Sequence, residues 1–248
     1  MENYNYCISI NYSMSYELKI KEITPVNIEG GFMINGFPST GISSAIATES
    51  IINTSEFQMS AIIDSDSFPP ISVIKNGQPN YPTRIFTNKD LNTAIFSSYL
   101  TLDASMHKSA AKMMLKWAKE KKCSAIISCI TMNTDSKEIF GVASTGTARG
   151  KLIDAKIDMV EHGTIPGISG VLLNEGMLDG QDVIVLVVSS NSRGPDFRAS
   201  SRLCDGLSKI IPGISYNADK LEIEAKQIEE QMKQVEHDRK DLADNIYG

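Results

Sequence analysis

The chain has 248 residues, of which 42% are hydrophobic and 22% charged, the balance of a soluble globular protein with room for one large domain and an appendage. A net charge of −6 without a basic stripe argues against nucleic acid as a partner, because phosphate neutralisation needs clustered Lys and Arg. No apolar run approaches the roughly 20 residues that span a bilayer, and "MENYNYCISINY" has neither a basic opening nor an unbroken apolar stretch, so the expected setting is the cytoplasm, away from membranes.

From the N-terminus, the even positions Tyr4, Tyr6, Ile8, Ile10, Tyr12, Met14, Tyr16, Leu18 and Ile20 are apolar and nearly all the odd ones polar, the period of one or two half-buried strands. "GGFMINGFPSTGISSAIATESII" then reads as a short strand over Phe32 to Ile34, a Gly/Pro turn, and a helix with Ile42, Ala45, Ile46 and Glu49 at helical spacing. Alternation returns in "QMSAIID", and "PPISVIKNGQPNYPTRIF" places two short strands around an Asn76-Gly77 turn. Asp103 is the expected N-cap of a helix whose apolar face carries Met106, Ala110, Met113, Met114 and Trp117. "CSAIISCI" and "DVIVLVVSS" are near-continuous β-rich runs, expected at the centre of a sheet covered on both faces. Between them two Gly-rich turns each feed an amphipathic segment, and "RGPDFRASSRLCDGLSKII" is a helix with Leu203, Leu207 and Ile210 inward. The four cysteines, Cys7, Cys123, Cys129 and Cys204, form no C-x-x-C pair and read as buried thiols. Strands alternating with helices predict a layered α/β/α domain over residues 1–213, closed by Pro212-Gly213.

The composition changes at Asn217. Leu221, Ala225, Ile228, Met232, Val235, Arg239 and Leu242 are spaced 4, 3, 4, 3, 4, 3, a heptad seam flanked by Glu, Lys, Gln and Asp over residues 217–245. So narrow a stripe on an isolated helix is marginal and needs a partner. The expectation is self-association as a coiled coil, with packing across the chain's own domain as the alternative; Arg239 at a seam position favours the wetter interface. Ile246, Tyr247 and Gly248 then end the chain with an apolar side chain and a ring that the core has no use for.

Catalytic motifs are sparse. The turn Gly36, Phe37, Pro38, Ser39, Thr40, Gly41 has the glycine spacing of a phosphate loop, and Ser43 meets its Ser/Thr position, but Ile42 stands where the Lys belongs, which leaves it a possible anion-binding turn and, more simply, a tight strand-to-helix crossing. No G-x-S-x-G elbow is present, and His107, His162 and His237 have no second ligand at metal spacing, so no cofactor or metal is expected. Asp64, Asp66 and Asp196 are acids that sequence alone does not bring together.

Four stretches in order, "NGFPSTGISSAIATESII", "FPPISVIKNGQPNYPTRIF", "HGTIPGISGVLLNEG" and "GPDFRASSRLCDGLSKII", resemble the proteasome assembly chaperone family, in its archaeal and bacterial relatives of the second eukaryotic chaperone, over most of residues 30–211. The resemblance implies a three-layer α/β/α fold akin to nucleoside phosphorylases, an archaeal source, and proteasome α-subunits as partners. It also implies a role for residues 246–248, because activators and some of these relatives end in a hydrophobic residue, a tyrosine and any residue, as Ile246, Tyr247 and Gly248 do. The function expected is a non-enzymatic, homo-oligomeric assembly chaperone or activator-like protein that docks this tail on the α-ring. The eukaryotic relatives work as heterodimers, from which a self-complementary seam departs. The alternatives are a small-molecule hydrolase or phosphorylase-like enzyme built on the Gly36–Gly41 turn, and a plain scaffold whose helix pairs with an unrelated coiled coil.

Overall fold

The computed structural model describes residues 17–38, 42–133, 138–190 and 196–247, and at residues 224, 225 and 243–247 the backbone only. In chain order the elements are β1 (Lys19–Glu22), β2 (Phe32–Gly36), α1 (Ser43–Thr54), β3 (Gln58–Asp64), β4 (Val73–Lys75), β5 (Gln78–Asn80), β6 (Thr83–Asn88), β7 (Thr93–Ser98), α2 (Ala104–Glu120), β8 (Ala125–Met132), β9 (Ile139–Ala143), α3 (Gly146–Asp154), β10 (Asp158–Met159), α4 (Gly167–Asp179), β11 (Val183–Ser189), α5 (Phe197–Ile210) and α6 (Ala218–Tyr247).

Nine strands form one sheet in the order β1-β3-β6-β7-β2-β8-β11-β9-β10, and β4 and β5 form a separate hairpin. The central strands β7, β2, β8 and β11 run parallel, while β1, β3 and β6 continue the sheet antiparallel on one side. The two apolar runs expected at the centre are there: β8 and β11 pair in parallel from Ile126 opposite Val183 to Met132 opposite Ser189. Their side chains alternate between two cores. Met33, Ile126, Val183, Val185 and Val187 face α2 and α4, whereas Ile34, Ile127, Ile184, Leu186 and Val188 face α1, α3 and α5. The result is the expected three-layer α/β/α arrangement.

Some elements are shorter or more buried than the sequence implies. The β pattern predicted over Tyr4 to Ile20 is seen as β1 from Lys19; its upstream part lies outside the described residues, as does Cys7. Cys123, Cys129 and Cys204 are buried, and burial pushes the thiols of Cys123 and Cys129 up to about 12. Asn76 (φ 52°) and Gly77 (φ 73°) turn the β4–β5 hairpin with two left-handed residues, the geometry an Asn-Gly pair favours. Helix α1 is buried along Ser43–Ile52 without a solvent face, because the sheet, α5 and α6 all pack on it.

That packing corrects the reading of the C-terminal seam. Leu221, Ile228, Met232 and Val235 are all buried within the chain and join the core that contains Ala45 and Ile46 of α1. The stripe that predicted a coiled coil between copies is therefore filled by the chain's own domain; Ala225 lies where only backbone is described, and Leu242 is half-buried. The physical reason is α1: it is Ile- and Ala-rich and needs cover beyond what the sheet and α5 supply, and a 3-4 stripe of one helix fits it as well as it fits a second copy. The helix also continues through Tyr247 rather than ending at Asn245, since nothing in "LADNIY" breaks it.

Candidate functional site

The turn after β2 lies at the carboxyl ends of the parallel strands. Gly36 is fixed there by contact: a Cβ on it would stand 2.4 Å from Thr48 Oγ1 and 2.8 Å from the Phe96 carbonyl, so α1 crosses the strand where only hydrogen fits. Asn35 organises the turn, accepting the Phe37 amide at 3.1 Å on Oδ1 and donating through Nδ2 to Ser128 Oγ at 2.9 Å. Ser128 Oγ in turn lies 2.8 Å from Ser169 Oγ on α4, and Ser44 of α1 donates to the Phe37 carbonyl at 3.1 Å. Ile42 enters α1 at φ 48°, a costly conformation for a β-branched residue. Ser39 and Gly41 lie outside the described residues.

A cavity of about 300 Å³ opens over these strand ends, walled by Asn35, Phe37, Pro38, Leu102, His107 and Gly167 among others. This is the place where open α/β sheets hold ligands. Its polar groups are already engaged, however: Asn35, Ser128 and Ser169 bond to one another, and a ring nitrogen of His107 lies 3.1 Å from the Leu102 carbonyl. The three acids considered above do not converge. Asp64 pairs with Lys21 at 2.7 Å, which holds its carboxyl below the usual range, while Asp196 caps α5 by accepting the Ala199 amide at 2.9 Å and the Ser190 hydroxyl at 2.6 Å. Among the described residues no group of three or more His, Cys, Asp or Glu is placed to hold a metal, and no helix is long and apolar enough to cross a membrane. His237, at the helix surface, lies 3.1 Å from Asp241.

Two clusters were not singled out from the sequence. Beneath α1, the Glu49 carboxylate receives Arg84 Nη2 at 3.1 Å, the Ser97 hydroxyl and the Tyr99 hydroxyl at 3.2 Å, all of it buried. The Arg84 guanidinium lies 5.0 Å from the Phe86 ring centroid and 4.6 Å from that of Tyr99. Burial, and then the Glu49 charge, pushes the Tyr99 hydroxyl up to about 12. The available signal was Glu49 itself, an acid at helical spacing with Ile42, Ala45 and Ile46.

The second cluster fixes α6. Asp103 occupies the predicted N-cap position of α2 with extended backbone but makes no capping bond; its carboxylate accepts Arg239 Nη2 at 2.6 Å, and Arg239 Nη1 reaches the Thr101 carbonyl at 3.3 Å. The odd residue of the seam is thus where α6 is tied to the start of α2. At its other end Tyr216 bonds Ser201 at 2.9 Å and Asp205 at 2.8 Å, and the Ser55 hydroxyl donates to the Ser215 carbonyl at 2.9 Å.

A nine-stranded α/β/α sandwich closed by one long helix defines a fold class, and likeness to known proteins says which family builds it. The chain belongs to the PAC2 family, whose model matches residues 33–236. It is 27% identical over 208 residues to the uncharacterized protein MJ0106 of Methanocaldococcus jannaschii, covering 82% of this chain and 84% of that one. Its fold is that of Pyrococcus furiosus PbaA, an archaeal homolog of proteasome-assembly chaperone, at TM-score 0.78 and 24% identity over 92% of this chain and 100% of the other. Pyrococcus furiosus PbaB, an archaeal proteasome activator, is similar at TM-score 0.68 and 21% identity over 89% of this chain and 99% of the other.

Proposed function

We propose that this protein is a non-enzymatic proteasome assembly chaperone or activator-like protein that engages the proteasome α-ring through Ile246, Tyr247 and Gly248. The observation that carries the reading is α6: on a PAC2 scaffold, it is held to the domain as far as Arg239 and its backbone stays helical to Tyr247, about 12 Å further on. The hydrophobic-Tyr-any ending therefore stands at the end of a strut. Capture of a chain terminus supplies the chemistry: the Gly248 carboxylate pairs with a receptor lysine between neighbouring α-subunits, Ile246 fills an apolar slot, and Tyr247 adds a ring and one directed hydroxyl. The last turn opens on docking, at small cost for a helix end.

One tail is a small contact, so useful affinity needs several tails presented together, which makes later contacts intramolecular. Self-association is part of the proposal, but with the Leu221-to-Val235 seam filled it uses other surfaces. Met177 and Leu178 on α4, 61% and 76% exposed, are adjacent apolar side chains available for it. The test is surface capture of proteasome α-rings by the parent chain, by a chain lacking residues 246–248, by Tyr247→Ala, and by a chain extended by one residue. Binding is expected from the parent alone, because the extension moves the carboxylate while keeping every side chain; equal binding by parent and extended chain refutes carboxylate docking.

A further inference from the structure

A groove beside the β4–β5 hairpin has no part in this function. It holds about 640 Å³ between the end of β3 and the β4–β5 hairpin, and is lined by Ile63, Phe68, Pro70, Ile71, Tyr81 and Pro82 among others. Its volume falls in the range of about 300–1,000 Å³ that encloses a drug-sized group. Tyr81 stands 52% exposed on its wall, and the prolines around it contribute apolar surface without amide donors.

We propose that this groove is the seat of the chain's own N-terminal segment, with Tyr12, Met14 and Tyr16 placed in it. The register delivers the segment to the site: β1 runs antiparallel to β3 with Lys19 opposite Asp64, a residue of the groove wall, so the chain preceding Lys19 arrives at the rim. The side-chain parity matches as well. Leu18 and Ile20 pack on the same core as Phe68 and Ile71, and Tyr16, Met14 and Tyr12 share their even parity, so an extended chain turns all of them to the groove side. The seven steps from Tyr12 to Lys19 reach up to about 24 Å in an extended chain, enough to run well into the groove. Between Glu2 and Glu17 the segment carries no charged side chain, which suits a wall of prolines and apolar side chains that also holds Asp64 and Asp66. Covalent attachment gives the segment an effective concentration of the order of millimolar, which favours it over the same segment of a second copy.

The experiment follows hydrogen exchange over residues 63–83 by mass spectrometry in the full chain and in the full-length triple variant Tyr12→Ser, Met14→Ser, Tyr16→Ser. The variant is expected to exchange at least tenfold faster there, with protection restored by a free peptide of residues 8–18. Tyr81→Asp, an exposed site that leaves the fold intact, is expected to abolish both the protection and the peptide effect. Identical exchange in parent and triple variant overturns the proposal. So does a parent that light scattering finds dimeric and the triple variant monomeric, which places the segment in a second copy. Neither readout involves the proteasome, so the docking reading stands or falls separately.

Discussion

Replacing Met232 and Val235 together by lysine separates the two partners that the α6 stripe can have. Both side chains are buried against the chain's own domain, and burial of an aliphatic side chain of this size contributes about 1.5–3 kcal/mol. The pair therefore holds the second half of α6 by about 3–6 kcal/mol, and a lysine at either position has to swing its ammonium to water. Arg239 to Asp103, with the aspartate side chain 60% exposed, does not replace that energy, since such pairs are worth up to about 1 kcal/mol. The helix is expected to open from about Ile228 onward, while the sheet and its other helices persist. Hydrogen exchange of residues 228–242 reads this directly: at about 1.4 kcal/mol per tenfold, protection falls by about 10²–10⁴-fold. Unchanged exchange over those residues in the double variant refutes the packing argument, and a fall in molar mass to an integer fraction returns the stripe to an interface between copies.

Arg84→Ala strands the buried Glu49 carboxylate and is expected to cost about 3–5 kcal/mol, a Tm lower by about 6–20 °C, whereas Glu49→Leu with Arg84→Met recovers most of it; a double variant as unstable as the single one would show that the charges themselves hold the site together. The Tyr99 hydroxyl titrates higher folded than unfolded, so its contribution is fully present below pH 10 and is lost as pH rises toward about 12. Urea midpoints measured across that window are expected to fall more steeply for the parent than for Tyr99→Phe, and parallel curves refute the assignment.

The layers were legible because periodicity reports one-sided burial. β8 and β11 announce themselves as unbroken apolar runs, and α5 through Leu203, Leu207 and Ile210, all buried as expected. Strand β7, although central, was passed over: "TAIFSS" carries two serines and a threonine, polar by type, which the structure buries because Ser97 bonds Glu49 and Ser98 bonds Leu100. Polar satisfaction depends on partners far along the chain, and no local pattern carries it. The same limit hid the partner of the α6 stripe. Spacing establishes that a helix has an apolar face, but the helix that receives it, α1, lies some 180 residues earlier and is buried all round, so its own spacing does not say which part of it meets α6. Arg239 was the one visible clue, and its partner Asp103 was visible only as a cap.

The position of α6 also sets the order in which the molecule is completed as it is made. A chain emerging N-terminus first can assemble the sheet and its first five helices while α1 still lacks the cover of α6, since Leu221, Ile228, Met232 and Val235 belong to an element translated after all of them. A chain broken off before Val235 thus leaves bare the apolar surface that α6 packs on and lacks Ile246, Tyr247 and Gly248 as well. Lesions that leave the core unfinished remove the tail in the same stroke, and defective chains are marked for chaperones and proteases by the surface that α6 would have hidden.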